Sequence, residues 1–205
     1  MGYLSREIVI ASGNTGKIAE FQDYFNALNV EVISQDKFQV PEAIEDGIGF
    51  VENALIKARN AAKYTDLPII ADDSGIIIDA LDGEPGVISA RYAGENASAE
   101  DNINKVINKM TKLGIESSPA RFHCVLVLLK NGPLDPTPHV FTGTWEGKVV
   151  TKKSGTKGFG YDPIFIDENH GKSAAEIFEE KKLCSHRAIA LRKLIDSGLL
   201  SNNIT

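Results

Sequence analysis

The sequence predicts an α/β fold, and three observations predict it. Short apolar runs of strand length alternate with amphipathic helical stretches along most of the 205 residues. The run Ile69-Ile70-Ala71 ends abruptly in Asp72-Asp73-Ser74-Gly75. That pattern reads as a buried strand whose C-terminal tip delivers acids into a cleft, the place where open α/β sheets tend to bind ligands. The loop Ser12-Gly13-Asn14-Thr15-Gly16-Lys17 links a first strand to a first helix and presents N–H groups that suit phosphate.

The elements follow in order. Residues 7–11 form a short apolar strand. Residues 18–28 read as a helix with Ile18, Phe21, Phe25 and Leu28 on one face, and residues 30–34 as a second strand. Residues 39–49 are a polar, acidic loop, and residues 50–64 an amphipathic helix rich in Ala and Lys. Pro68 closes that unit, and the strand into Asp72 and Asp73 follows. Residues 76–81 are again strand-like, and residues 82–86 are a turn. Residues 99–113 are helical, with Ile103, Val106, Ile107 and Met110 as the apolar stripe. Residues 120–130 are the longest strand candidate, and residues 131–138, with three prolines, an exposed loop. Residues 140–150 look like a hairpin turning near Glu146-Gly147. Residues 173–180 and 185–197 read as helices. No repeat, low-complexity segment or linker divides the chain, so residues 1–205 are expected to form one domain.

Composition narrows the function. Hydrophobic content of 42% and charged content of 24% are those of an ordinary soluble globular protein. No apolar run approaches the ~20 residues of a membrane-spanning helix. The first residues lack the basic flank and long apolar segment of a signal peptide, so a cytoplasmic enzyme is expected. Cys124, in an apolar run, reads as a core residue, and a disulfide with Cys184 is not expected in such an enzyme. No CxxC or HExxH is present, which disfavours zinc. A net charge of −6 argues against nucleic-acid binding, which needs a basic face. A small polyphosphate remains open, because it needs only a local cluster of cations, a metal and inward-facing N–H groups.

Four groups carry chemistry. Paired acids such as Asp72 and Asp73 can hold Mg²⁺ and activate a water, although Asp, Ser and Gly also make ordinary polar turns. The loop from Ser12 to Lys17 is not a Walker A loop: its first glycine would fall on Ala11, and Ile18 follows Lys17. It would serve equally as an N-capping turn. Gly171-Lys172-Ser173 fails the same test, since its first glycine would be Ile166. Glu45-Asp46-Gly47 precedes Phe50, Glu52, Asn53 and Lys57, so an acid of that loop could reach a metal that Asp73 also touches; Glu52 and Lys63 read as a solvated helix face. Gly158-Phe159-Gly160-Tyr161-Asp162-Pro163 allows close backbone approach, with Phe159 or Tyr161 able to stack on a flat base. Ser185-His186-Arg187, with Lys181 nearby, offers donors to carbonyl oxygens of a base, or a helix cap and a surface charge. Ser74 lacks the GxSxG elbow of a serine hydrolase.

Taken together, these segments resemble the inosine triphosphate pyrophosphatase family, and most closely its bacterial branch. The matching motifs are the loop from Ser12 to Lys17, the stretch from Phe50 to Lys57, and Ala71-Asp72-Asp73-Ser74-Gly75. Pro85-Gly86, Ser89-Ala90-Arg91-Tyr92, Gly158 to Pro163 and Ser185-His186-Arg187 follow in the same order. The resemblance covers residues 8–194. It implies an elongated two-lobed α/β fold with a long mixed sheet flanked by helices, a substrate cleft between the lobes, and a homodimer. It implies hydrolysis of ITP, dITP and XTP between the α and β phosphates, giving a monophosphate and pyrophosphate with Mg²⁺ as cofactor. By position, Asp73 would be the general base and a Mg²⁺ ligand, with Glu45 the second metal acid, flanked here by Ile44 and Asp46 where the family carries an acidic run; Asp72 stays open as the base. Ser12, Gly13, Asn14, Thr15, Gly16, Lys17 and Lys57 would hold the triphosphate. Ser74, Phe159, Gly160, Tyr161, Asp162, Lys181, His186 and Arg187 would hold the nucleoside, with Lys182 an alternative to Lys181 and Arg91 a further phosphate or dimer contact.

The chemistry agrees with that assignment. Cations that draw charge from the triphosphate, with Asp73 taking a proton from water, would open a shielded phosphorus to attack. A donor such as His186 or Arg187 to a 6-keto oxygen would disfavour the 6-amino group of adenine. A pyrophosphatase for modified pyrimidines, or a catalytically silent nucleotide-binding protein, would share part of the pattern.

Overall fold

The computed structural model describes residues 7–26 and 28–200. In chain order the regular elements are β1 (Glu7–Ile10), α1 (Thr15–Asn26), β2 (Glu31–Ser34), α2 (Phe50–Ala61) and β3 (Ile69–Ile78). Then come α3 (Ala99–Lys112), β4 (Ser117–Leu129), β5 (His139–Val150), β6 (Phe165–Asp167), α4 (Phe178–Cys184) and α5 (His186–Asp196). The strands form one mixed sheet in the order β2-β1-β3-β4-β5-β6. β1 runs parallel to both β2 and β3, and β5 runs antiparallel to β6. No helix among the described residues is long and apolar enough to cross a membrane.

The chain divides into two compact units. The first comprises Met1–Asp73, Val125–Thr142 and Ala190–Thr205, and the second Ser74–Cys124 and Gly143–Ile189. In the first unit, Ala54, Ala58 and Ala61 lie on one stripe of α2 and let the helix approach Val9, Ala11, Ile33, Ile69 and Ala71 closely. In the second unit, Ile103, Val106 and Met110 of α3 pack with Ile76, Ile78, Phe122, Trp145 and Phe165. Ser98 starts α3 with a reciprocal cap: Asp101 N donates to Ser98 Oγ at 3.1 Å, and Ser98 N to Asp101 Oδ2 at 2.9 Å.

Three expectations are corrected. Asp72 and Asp73 do not end their strand, because β3 continues to Ile78, absorbing most of the strand expected after Gly75. What ends near the acids is the parallel pairing: β1 matches β3 only at Val9↔Ile69 and Ile10↔Ile70. Residues 140–150 are no hairpin but part of the single strand β5. Gly147 lies opposite Asp167 of β6, and a side chain there would run into Ile166 O and the Phe165 ring, so this glycine permits close approach rather than a turn. Residues 173–177 are a turn, not the start of a helix. Ser173 N donates to Glu176 Oε2 at 2.9 Å and Glu176 N to Ser173 Oγ at 3.2 Å, a reciprocal cap that closes one turn with Ile177 N donating to Ser173 O at 3.1 Å, and the regular helix α4 begins only at Phe178.

Candidate active site

Alternation along β3 decides which partner each acid meets. Successive strand side chains point to opposite faces. Ile69 and Ala71 face the alanine stripe of α2, and Asp73 continues that face. There Lys57 Nζ, from α2, donates to Asp73 Oδ1 at 2.9 Å. Asp72 points the other way, and Lys17 Nζ of α1 donates to its Oδ1 at 2.7 Å. Lys57 Nζ also donates to Glu45 Oε2 at 3.0 Å. A loop acid and a strand acid thus converge on one ammonium whose side chain is only 14% exposed.

The charges explain the titration of this group. Burial opposes the Lys57 cation, but Asp72, Asp73 and Glu45 together outweigh it and raise the lysine above its ordinary value. Asp73 is raised too: burial is the largest cause, Lys57 opposes it, and Glu45 and Asp72 add to it. Both directions follow from several acids crowded around one cation. Asp73 is therefore readier to accept a proton than an ordinary aspartate. Its Oδ2 is buried and makes no hydrogen bond among the described residues.

This donor set fits a small hard cation. Mg²⁺ is typically held by one or two carboxylates and completes its shell with water and phosphate oxygens. Glu45 and the second oxygen of Asp73 could supply those carboxylates. Among the described residues no three His, Cys, Asp or Glu side chains converge as an all-protein cage.

The loop from Ser12 to Lys17 is shorter than expected, because α1 begins at Thr15 and takes Lys17 into its first turn. Asn14 caps the helix, its Oδ1 accepting from Lys17 N at 3.1 Å, while Asn14 N donates to Ser12 Oγ at 3.1 Å. The N-capping reading of this loop is therefore the one its own bonds display. Ser12, Gly13, Lys17, Glu45, Lys57 and Asp72 line a common cavity of about 140 Å³. Gln35 and Glu42 line it as well, and no motif in the sequence pointed to either.

The second unit gathers the other group. Arg187, at 2% exposure, donates from Nη2 to Ser74 Oγ at 3.0 Å. His186 is buried and stacks on Phe122, with ring centroids 4.9 Å apart. Lys181 Nζ forms an ion pair with the buried Asp162 and lies 4.5 Å from the centroid of the Phe159 ring. Asp162 Oδ2 also accepts from Phe159 N at 3.0 Å, tying the glycine-rich loop to α4. Tyr161 differs from the expectation of a stacking residue. Its ring is enclosed in the core, and its hydroxyl donates to Ser89 O at 2.8 Å. Phe159, 59% exposed, is the aromatic ring of this loop that reaches solvent. Lys182 is exposed and pairs with Glu179 at 3.0 Å, so Lys181 is the lysine built into the loop. Arg91 lies near the surface, 3.8 Å from Glu95.

Residues 8–197 match the Ham1 family. The chain belongs to the Ham1 family. A dITP/XTP pyrophosphatase of Vibrio cholerae serotype O1 is 50% identical over 190 residues, 92% of this chain and 94% of that one. Among solved structures, a HAM1 protein from Coxiella burnetii has a TM-score of 0.88 at 46% identity, covering 93% of this chain and 97% of its own. The Staphylococcus aureus Ham1 protein follows with a TM-score of 0.82 at 42% identity over the same shares. This Ham1 chain therefore shares both its sequence pattern and its α/β fold with them.

Proposed function

We propose that this chain hydrolyses dITP, XTP and ITP to the nucleoside monophosphate and pyrophosphate, clearing deaminated purines from the nucleotide pool. The observation that carries the reading is Asp73: a buried carboxylate with a raised pKa, one oxygen bound to Lys57 and the other without a hydrogen-bond partner among the described residues. The named activity of the Vibrio cholerae relative supports the substrate class.

Asp73 takes the proton from the attacking water, and its burial favours that transfer. Glu45 and Asp73 would hold Mg²⁺, which would supply neutralisation of phosphate charge when bound. The N–H groups of Gly13, Thr15 and Gly16, with the ammonium of Lys17, receive the triphosphate oxygens, while Ser12 and Asn14, bonded to each other, hold the loop in shape for them. Lys57 keeps Glu45 and Asp73 together and offsets their repulsion. In the second unit, Phe159 stacks on the base, and Lys181, His186 and Arg187 present donors to its keto oxygens. Ser74 fixes Arg187, while Gly160, Tyr161 and Asp162 shape the loop that presents Phe159. The chain works as one domain and a homodimer in the cytoplasm, with Arg91 a phosphate or dimer contact.

Product analysis tests the reading. With Mg²⁺ and dITP, XTP, dGTP, ATP and dUTP offered in turn, monophosphate plus pyrophosphate should form from dITP and XTP, and Asp73→Asn should abolish it. Diphosphate plus phosphate, or equal turnover of ATP, would overturn the assignment.

A further inference from the structure

Asn53 is wholly buried in α2, an unusual place for an amide side chain. Its Oδ1 accepts from Gly47 N at 2.9 Å. Its Nδ2 is buried and makes no hydrogen bond among the described residues. A side chain on Gly47 would come within 2.7 Å of both Asn53 Oδ1 and Glu52 Cβ, so position 47 must be glycine for the loop to reach the helix. One turn further along the same helix, Lys57 binds Glu45. The spacings match: four helical residues rise about 6 Å, and two extended loop residues span about 6–7 Å. Two anchors on α2 thus grip the loop at two points, with Glu45 at one of them. Glu52 adds a third tie through Gly49 N at 2.9 Å.

We infer that Asn53 is a positioning residue: by clasping Gly47 it fixes the main chain that carries Glu45, and so sets where that carboxylate stands for the metal. The inference rests on the reading of Glu45 as a Mg²⁺ ligand. Lys57 alone holds Glu45 through a flexible side chain and is shared with Asp73. The amide of Asn53 holds the backbone itself, with a neutral group that adds no charge among the acids. Burying an amide with a spare donor costs stability, and that cost is accounted for by precise placement of the loop.

The test uses the full chain with Asn53→Ser, Asn53→Asp and Glu45→Gln. Amide exchange is followed by NMR in the metal-free protein, and Mg²⁺ is titrated against dITP hydrolysis. In Asn53→Ser the Gly47 amide should exchange about tenfold faster, while Ile69 and Ile70 in β3 keep their protection. The Mg²⁺ concentration for half-maximal rate should rise about tenfold, with kcat at saturating Mg²⁺ within about threefold of the parent. Asn53→Asp keeps an acceptor for Gly47 N and should restore slow exchange. An unchanged Gly47 rate overturns the inference, as does exchange that quickens equally through the core. In the parent, a Gly47 amide as fast as that of exposed Asp46 overturns it without any variant. An unchanged Mg²⁺ requirement in Asn53→Ser, where Glu45→Gln raises it, overturns the positioning role. If Glu45→Gln needs no more Mg²⁺ than the parent, the ligand reading of Glu45 fails, and the exchange rates alone decide whether Asn53 fixes the loop.

Discussion

Asp72 and Asp73 are adjacent in the chain, yet each is bound by a lysine from a different helix, Lys17 of α1 for the first and Lys57 of α2 for the second. The pleat of β3 separates them, one side chain to each face. Acids that look interchangeable in the sequence therefore have different surroundings. Asp72 is satisfied by a close ion pair, whereas Asp73 shares its cation with Glu45 and keeps an oxygen without a hydrogen-bond partner among the described residues.

That difference predicts different kinetic losses. Asp73→Asn should lower kcat by roughly 10²–10⁴, as expected for removal of a general base. Asp72→Asn should act mainly on KM, by releasing Lys17 from its place at the phosphate loop. Steady-state kinetics with dITP separates the two, and equal loss of kcat in both variants would argue against the distinction.

The raised pKa of Asp73 has a pH signature in stability. The folded state binds this proton more tightly than the unfolded chain does, because burial outweighs the pull of Lys57. Its contribution is therefore full below the ordinary aspartate pKa and is lost as pH rises through the folded value. Asp73→Asn removes that loss. Its Tm in metal-free buffer should exceed the parent's at neutral pH, and the gap should close toward pH ~4.

Selectivity should depend on Ser74. Its hydroxyl accepts from Arg187 and holds the guanidinium in one orientation. Ser74→Ala should reduce the preference for dITP over dATP by about tenfold, the scale of one lost hydrogen bond to a charged group. Competition assays with the two nucleotides read that ratio directly.

Asp135 makes a purely structural prediction. Its carboxylate accepts from the backbone N–H groups of Lys130, Asn131 and Thr137 and from the Thr137 hydroxyl, within the proline-rich loop. These bonds, led by that from Thr137 N, outweigh the cost of burial and lower its pKa to about 2. The stability it confers is present above the ordinary aspartate pKa and is lost as pH falls toward about 2. Asp135→Ala should cost about 1–3 kcal/mol in urea unfolding at pH 7, with no change in kcat.

Much of this was legible in the sequence, for local reasons. The 3.6-residue stripe of α3 and the apolar run of β4 are set by burial of their own side chains, and both are found close to the expected residues. Gly147 misled because a glycine that makes room for a neighbouring strand looks like one that makes a turn, and the neighbour, β6, is a three-residue strand with no periodic signal. Tyr161 misled because an aromatic next to a glycine in an expected loop suggests a stacking platform, whereas its hydroxyl is committed to Ser89 O across 72 positions of sequence. Asn53 carried a hint in being an amide beside the alanine stripe of α2, but its partner at Gly47 is a backbone group, and sequence patterns do not record backbone partners.

The alternation of β3 also constrains how genes for such a chain can drift. Substitutions among Ile69, Ile70 and Ala71 that keep size and apolarity leave each acid facing its own lysine. Loss or gain of a single codon between them would turn the two carboxylates over together, offering Asp73 to Lys17 and Asp72 to Lys57. The length of this segment is thus held more tightly than its spelling, and lineages should vary its letters while never changing their number.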